Sequence, residues 1–160
     1  MADENGNSEA QIGWGTGFFM EATPGGALTE LDEVTEVPFA EDTADDVEVT
    51  HLKSPDRCKE FIRGLIDGGT GQLVLNYIVG SPTDVLIATA RKDGLTRKVR
   101  VVLPDAAGDL YAVDAYAYVQ SRSRSIPVND RRQMTVTLRY TGTSDEGAVA
   151  TDTGDIGVVP

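Results

Sequence analysis

Cysteine and histidine are almost absent from this chain of 160 residues, which holds one of each, Cys58 and His51. A lone cysteine has no intramolecular disulfide partner, and one Cys with one His cannot complete a tetrahedral zinc site. No metal or other cofactor is expected. Basic residues are missing altogether from residues 1–50, which carry 13 carboxylates. Long apolar runs are missing too: no segment approaches the roughly 18 residues of a membrane helix. The N-terminal MADENGNSEA is acidic where a secretory signal would be basic and then apolar, so a cytoplasmic origin and no membrane partner are expected.

What is present suits a folded domain. Hydrophobic residues make up 40% and charged residues 25%, above the level at which chains stay disordered, and the length suits one domain with tails. The net charge of −12 opposes binding to the outside of a nucleic acid, because that affinity comes from Lys and Arg displacing phosphate counterions. The charge is unevenly spread. Residues 1–50 carry −13, residues 51–140 carry +5 and residues 141–160 carry −4. An acidic arm, a basic body and an acidic tail either complement one another within or between copies, or the acidic ends only keep the chain soluble.

Along the chain, residues 1–11 are polar and expected to be disordered. In IGWGTGFFME, Ile12, Trp14, Thr16, Phe18 and Met20 fall on one face of an extended strand and Gly13, Gly15 and Gly17 on the other. The GxGxG string lacks the preceding strand and following helix of a phosphate loop. A turn at Thr23–Gly26 leads to a strand over 31–39. The stretch 40–57 has five carboxylates before His51 and reads as a long projecting loop, in which Val47 and Val49 could become a strand against a partner. Ser54 and Pro55 can cap a helical turn reaching Phe61 and Ile62.

After the turn cluster GLIDGGTG, residues 73–79 form a strand of high β-propensity. The period then changes: Ser81 as N-cap, Pro82 first, Arg91 and Lys92 in the last turn and Gly94 beyond predict a helix over 82–93, with Val85, Ala88 and Thr89 as its narrow face. Strands follow over 96–103, 110–120 and 132–141. In the last, Met134, Val136, Leu138 and Tyr140 take one face, while Gln133, Thr135, Thr137, Arg139 and Thr141 take the other. Residues 143–160 have little to bury and read as a flexible tail. The expected fold is mainly β: a β-sandwich or partly open barrel over 12–142 with one flanking α-helix, a long projecting loop and flexible termini.

No constellation supports a reaction, and the chain is not expected to be an enzyme. His51 and Cys58 lie seven apart with Asp56 between them, but no oxyanion device accompanies them. Asp42, Asp45, Asp46 and Glu48 lack calcium-loop spacing and read as a solvated face. Arg122 and Arg124, alternating with Ser121, Ser123 and Ser125, read as an exposed charged rim.

The order of three segments carries a resemblance: EFIRGLIDGGTGQLVLNY (60–77), a strand ending in VVLPD, and AYVQSRSRSIPVNDRRQMTVTLRYTG (117–142). Glu60, Phe61, Ile62, Gly64, Leu65, Asp67, Gly68, Gly69, Asn76 and Tyr77 match the first family pattern, and Pro127, Val128, Asp130, Thr135, Val136, Thr137, Leu138, Thr141 and Gly142 the second. Arg63 departs from it where proline is common, and Leu75 where glycine is. Over about residues 12–142 the chain resembles the tail tube proteins of phages with long, non-contractile tails, relatives of contractile-tail and type VI secretion inner tubes. The resemblance implies a virion protein assembled in the bacterial host cytoplasm. Its hexameric rings would stack into a hollow tube, with tail tip, tape measure and tail terminator proteins as partners and DNA passing through without specific binding. Asp45, Asp46, Val47, Val49, His51 and Leu52 are then candidates for contacts between subunits and rings, and Gln133, Thr135, Thr137 and Arg139 for the lumen, where Arg139 needs a nearby carboxylate. The competing expectation is a monomeric β-sandwich capsid decoration or binding module, which would need an aromatic or polar pocket.

Overall fold

The computed structural model describes residues 10–157, so the stretch expected to be disordered lies outside it apart from Ala10 and Gln11. The protein is mainly β, with one α-helix, and its principal sheet is a curled seven-stranded half-barrel. The strands are β1 (Gly17–Glu21), β2 (Leu28–Glu30), β3 (Val34–Glu36), β4 (Thr43–Glu48), β5 (Phe61–Asp67), β6 (Thr70–Asn76), β7 (Arg97–Pro104), β8 (Leu110–Ser125) and β9 (Gln133–Val149), with α1 (Pro82–Asp93) between β6 and β7. The large sheet runs β2-β1-β7-β8-β9-β6-β3, with every neighbouring pair antiparallel, and β4 and β5 form a separate two-stranded hairpin.

Alternation in β9 fixes which side is inside. Met134, Val136 and Leu138 have no exposed surface and Tyr140 has 5%, while Gln133, Thr135, Thr137 and Arg139 between them stay half-buried. These join Phe18 and Met20 of β1, Leu73 and Leu75 of β6, Val99 and Val101 of β7, and Ala115, Ala117 and Val119 of β8 in the main core on the concave face. Burying each large aliphatic side chain contributes about 1.5–3 kcal/mol. Helix α1 closes this core with Ile87, Ala90 and Thr83. Its ends follow the expected chemistry: Ser81 accepts a hydrogen bond from the Asp84 N–H, and Gly94 is left-handed at φ 66°. The expected helix face is displaced, since Val85 is 57% exposed and Thr89 hydrogen-bonds back to the Val85 carbonyl. Ile87 and Ala90 carry the packing against the core, and Thr83 Oγ1 accepts a hydrogen bond from the Asp32 N–H.

A second, smaller core occupies the opposite face. Side chains alternate along β8, so Ala112 and Asp114 point to one side while Ala115, Ala117 and Val119 point to the other. Phe19, Val102, Ala112 and Val149 are buried there, and Ile156 packs over them. Gly147 makes this possible: a Cβ on it would stand 2.5 Å from Ile156 Cγ2.

Several sequence expectations move. The strand expected from Ile12 begins at Gly17, where pairing with Val102 of β7 begins, leaving Ile12 and Trp14 exposed. Of the strand expected over 31–39 only the three residues of β3 form; β2 precedes that stretch, and a turn in which Glu33 takes φ 63° parts the two. The strand expected over 73–79 is shifted to β6, where Thr70 to Gln72 pair with Arg139 to Thr137. The loop over 40–57 contains β4, and Phe61 and Ile62 lie in β5 rather than on a helical turn. The partner that orders Val47 is within the chain: Val47 faces Ile62 and Glu48 faces Phe61. Finally, the strand expected to end at 141 runs on to Val149, because Leu110 to Asp114 of β8 take Val149 to Asp145 as their partner.

Candidate assembly surfaces

The β4–β5 hairpin stands apart from the sheet and is apolar on exposed surfaces. Val47, Val49, Phe61, Ile62, Leu65 and Ile66 are 41–83% exposed. Gly64 permits the close strand crossing, since a Cβ there would lie 3.0 Å from the Asp45 carbonyl oxygen and 3.1 Å from Val47 Cγ2. The shaft is acidic: Asp45 and Asp46 lie in β4, Asp46 opposite Arg63. Glu48 meets Lys59 at 3.5 Å.

At the tip the strands continue through Val49, whose N–H donates to the Glu60 carbonyl at 2.9 Å. Asp56 and Arg57 both adopt left-handed φ values, 52° and 59°, closed by the Cys58 N–H on the Pro55 carbonyl at 3.0 Å. This is a tight turn of the kind that joins hairpin strands. His51 Nε2 lies 3.5 Å from Glu60 Oε2, its backbone N–H donates to Ser54 Oγ, and Ser54 Oγ in turn hydrogen-bonds Glu60. The Cys58 thiol instead contacts the Asp56 carbonyl, so His51 and Cys58 are not brought together as base and nucleophile. Leu52 is fully exposed at the tip.

The four β9 residues considered for a lumen share a polar carpet. Antiparallel partners face the same way, so Thr135 lies beside Ser123, and Thr137 beside Ser121 and Gln72. Arg139 has the carboxylate it needs, Asp67 Oδ2 at 2.8 Å. The Gly69 N–H and then Arg139 hold the Asp67 carboxyl below its ordinary range. Arg122 and Arg124 face the other way; Arg122 is partly covered, whereas Arg124 stays exposed as expected of a rim. Arg122 lies 3.6 Å from Asp84 on α1 with its side chain 11% exposed, and Arg124 stacks 5.5 Å over the Tyr77 ring while donating to its hydroxyl.

Two features escaped the sequence reading. One is a buried ion pair: Arg100 Nε and Nη2 donate to Asp114 at 2.6 and 2.8 Å, and Nη1 donates to the carbonyls of Asp152 and Gly154. The Asp114 hydrogen bonds push the Arg100 guanidinium further above its ordinary value. The signal was present, since a hairpin turning about Ala107 sets Arg100 opposite Asp114. The other is a groove of about 350 Å³ at the open end of the concave face. Phe39, Tyr111, Val113 and Tyr140 floor it and Asp42 and Glu146 rim it, with no cation among its lining residues. Burial pushes the Tyr140 hydroxyl up to about 12. Among the described residues no helix is long and apolar enough to cross a membrane.

The curled half-barrel with one flanking helix and an external hairpin is a fold this chain shares with others. Similar chains in solved structures share its fold. A chain of the SPP1 tail tube has 15% identity and a TM-score of 0.59, covering 92% of this chain and 81% of its own. A chain of the virion of a native gene transfer agent particle has 17% identity and a TM-score of 0.67, covering 87% and 100%. A chain from the sheath/tube terminator structure of an extracellular contractile injection system has 12% identity and a TM-score of 0.62, covering 88% and 99%. The family described as lambda phage tail tube protein matches residues 8–147, and the chain belongs to that family of structural proteins. No curated protein matches it.

Proposed function

We propose that this phage tail tube protein forms hexameric rings that stack into a hollow tube, through which DNA passes toward the host. The observation that carries the reading is the hairpin. An isolated two-stranded ribbon is marginal in water, and this one exposes Val47, Phe61, Ile62, Leu65 and Ile66 without a covering layer. A second copy that covers those side chains completes it, and a head-to-tail contact of this kind propagates into rings or filaments. In this reading Asp45, Asp46, Val47, Val49, His51 and Leu52 meet neighbouring subunits. The carpet of Gln133, Thr135, Thr137 and Arg139 lines the lumen, where hydroxyls and a neutralised arginine let DNA slide without adhering. Tail tip, tape measure and tail terminator proteins are the proposed partners, the virion tail the proposed location, and the host cytoplasm the site of assembly.

Electron microscopy of the purified protein at rising concentration, with light scattering for its mass in dilute solution, tests this. Hollow tubes with six-fold end views are the expected result. A strict monomer at every concentration, unchanged by added tail-tip complexes, would overturn it in favour of a decoration or binding module.

A further inference from the structure

The charge of the hairpin reverses along its length. Its shaft carries Glu41, Asp42, Asp45, Asp46 and Glu48, whereas the tip over 51–60 carries Lys53, Arg57 and Lys59 against Asp56 and Glu60, the latter engaged by His51 and Ser54. Lys53 and Arg57 have no ion-pair partner among the described residues, and Leu52 beside them is fully exposed. In a chain of net charge −12 this is a small cationic knob with an apolar point. The groove is its complement, with an apolar floor of Phe39, Val113 and Tyr140 and a rim of Asp42 and Glu146. Glu146 lies close enough to Tyr111 that its charge, after burial, helps push that hydroxyl above its ordinary value.

Position decides whose tip can enter. The groove wall formed by Pro38 to Asp42 is the root of the same hairpin. Ladder pairing from Thr43–Asp67 to Glu48–Phe61 holds the strands extended, so a hairpin's tip cannot return to its own root. The ladder from Thr43 to Glu48, carried on to Val49 by its bond to the Glu60 carbonyl, spans about 20 Å at strand rise.

Resting on the tail-tube reading, we propose that the hairpin tip of one copy, with Leu52 as plug and Lys53 and Arg57 as charges, docks in the Asp42–Glu146 groove at the hairpin root of the next copy. Each copy offers one tip and one groove, so the contact is heterologous and repeats in one direction.

The single cysteine, exposed on the tip, makes the test direct. Ser144 lines the groove, 3.5 Å from Asp42. Wild-type chain is co-assembled with a size-tagged C58S/S144C variant, oxidised gently, and run without reductant. The expected product is the disulfide heterodimer in excess over both homodimers. Tubes that yield no such excess would overturn the docking while leaving the tube reading intact; failure of the wild-type chain to form any ordered polymer, even with tail-tip complexes, would overturn both. As a second measurement, Lys53→Glu with Arg57→Glu raises the critical concentration about tenfold, and adding Asp42→Lys with Glu146→Lys recovers it. Loss that the swap leaves unrepaired would also count against the docking.

Discussion

The sheet body and the β4–β5 hairpin are both antiparallel β-structure, yet they solve burial in opposite ways. In β9 every second side chain from Met134 to Tyr140 is covered by the same chain. In the hairpin, alternation yields two exposed faces, and Leu65 stays 83% accessible. The body stabilises itself, whereas the hairpin has hydrogen bonds but no core of its own. A residue's consequence for folding therefore depends on which region holds it, even when its type and secondary structure are the same.

Substitutions can break or sharpen that contrast. The largest effect is expected for Val136→Asp, which buries an unpaired carboxylate at a position with no exposed surface. Loss of cooperative thermal unfolding checks it, and a well-folded variant would reverse the assignment of inside and outside. Next is Asp114→Ala, which strands the buried Arg100 guanidinium and should cost about 3–5 kcal/mol in denaturant unfolding. Removing the Ser81 cap by Ser81→Ala is worth about 1 kcal/mol by the same measurement. Ile62→Asp in the hairpin should change monomer stability by less than about 0.5 kcal/mol while suppressing assembly, which inverts the Val136 result on a neighbouring class of strand.

The smallest effect is electrostatic. The Arg97 hydrogen bond, with that from the Leu95 N–H, lowers the Asp93 carboxyl from 3.8 to about 2. A depressed folded-state value means the contribution is present above pH 3.8 and is lost as pH falls through about 2. Asp93→Asn should remove that contribution at neutral pH, lowering stability there, and flatten the profile between about 2 and 3.8.

Legibility in the sequence followed the same division. Strand β9 and helix α1 were readable because one element carries its own signal: strict alternation in MTVTLRY, and a cap, proline and terminal glycine around PTDVLIATARKD. Strand β4 was not, because its carboxylates argue for a loop and only pairing with FIRGLID makes it a strand. The second core was hidden for a related reason: Ile156 looks like an isolated apolar residue until Gly147, Val149 and Arg100 are brought under it. Among the candidate contact residues, Val47, Val49 and Leu52 are exposed as an assembly surface requires. The groove could not be found in sequence, since its lining comes from the hairpin root and three separate strands.

The hairpin is spliced between β3 and β6, which are direct neighbours in the sheet. To the body it is simply the loop that closes an antiparallel pair. Loop-closure entropy grows only with the logarithm of length, so doubling such an insert costs the body on the order of 0.6 kcal/mol. Natural variation can thus lengthen or shorten the hairpin almost independently of the fold that bears it, so that in the proposed tube its reach is adjustable while the half-barrel stays as it is.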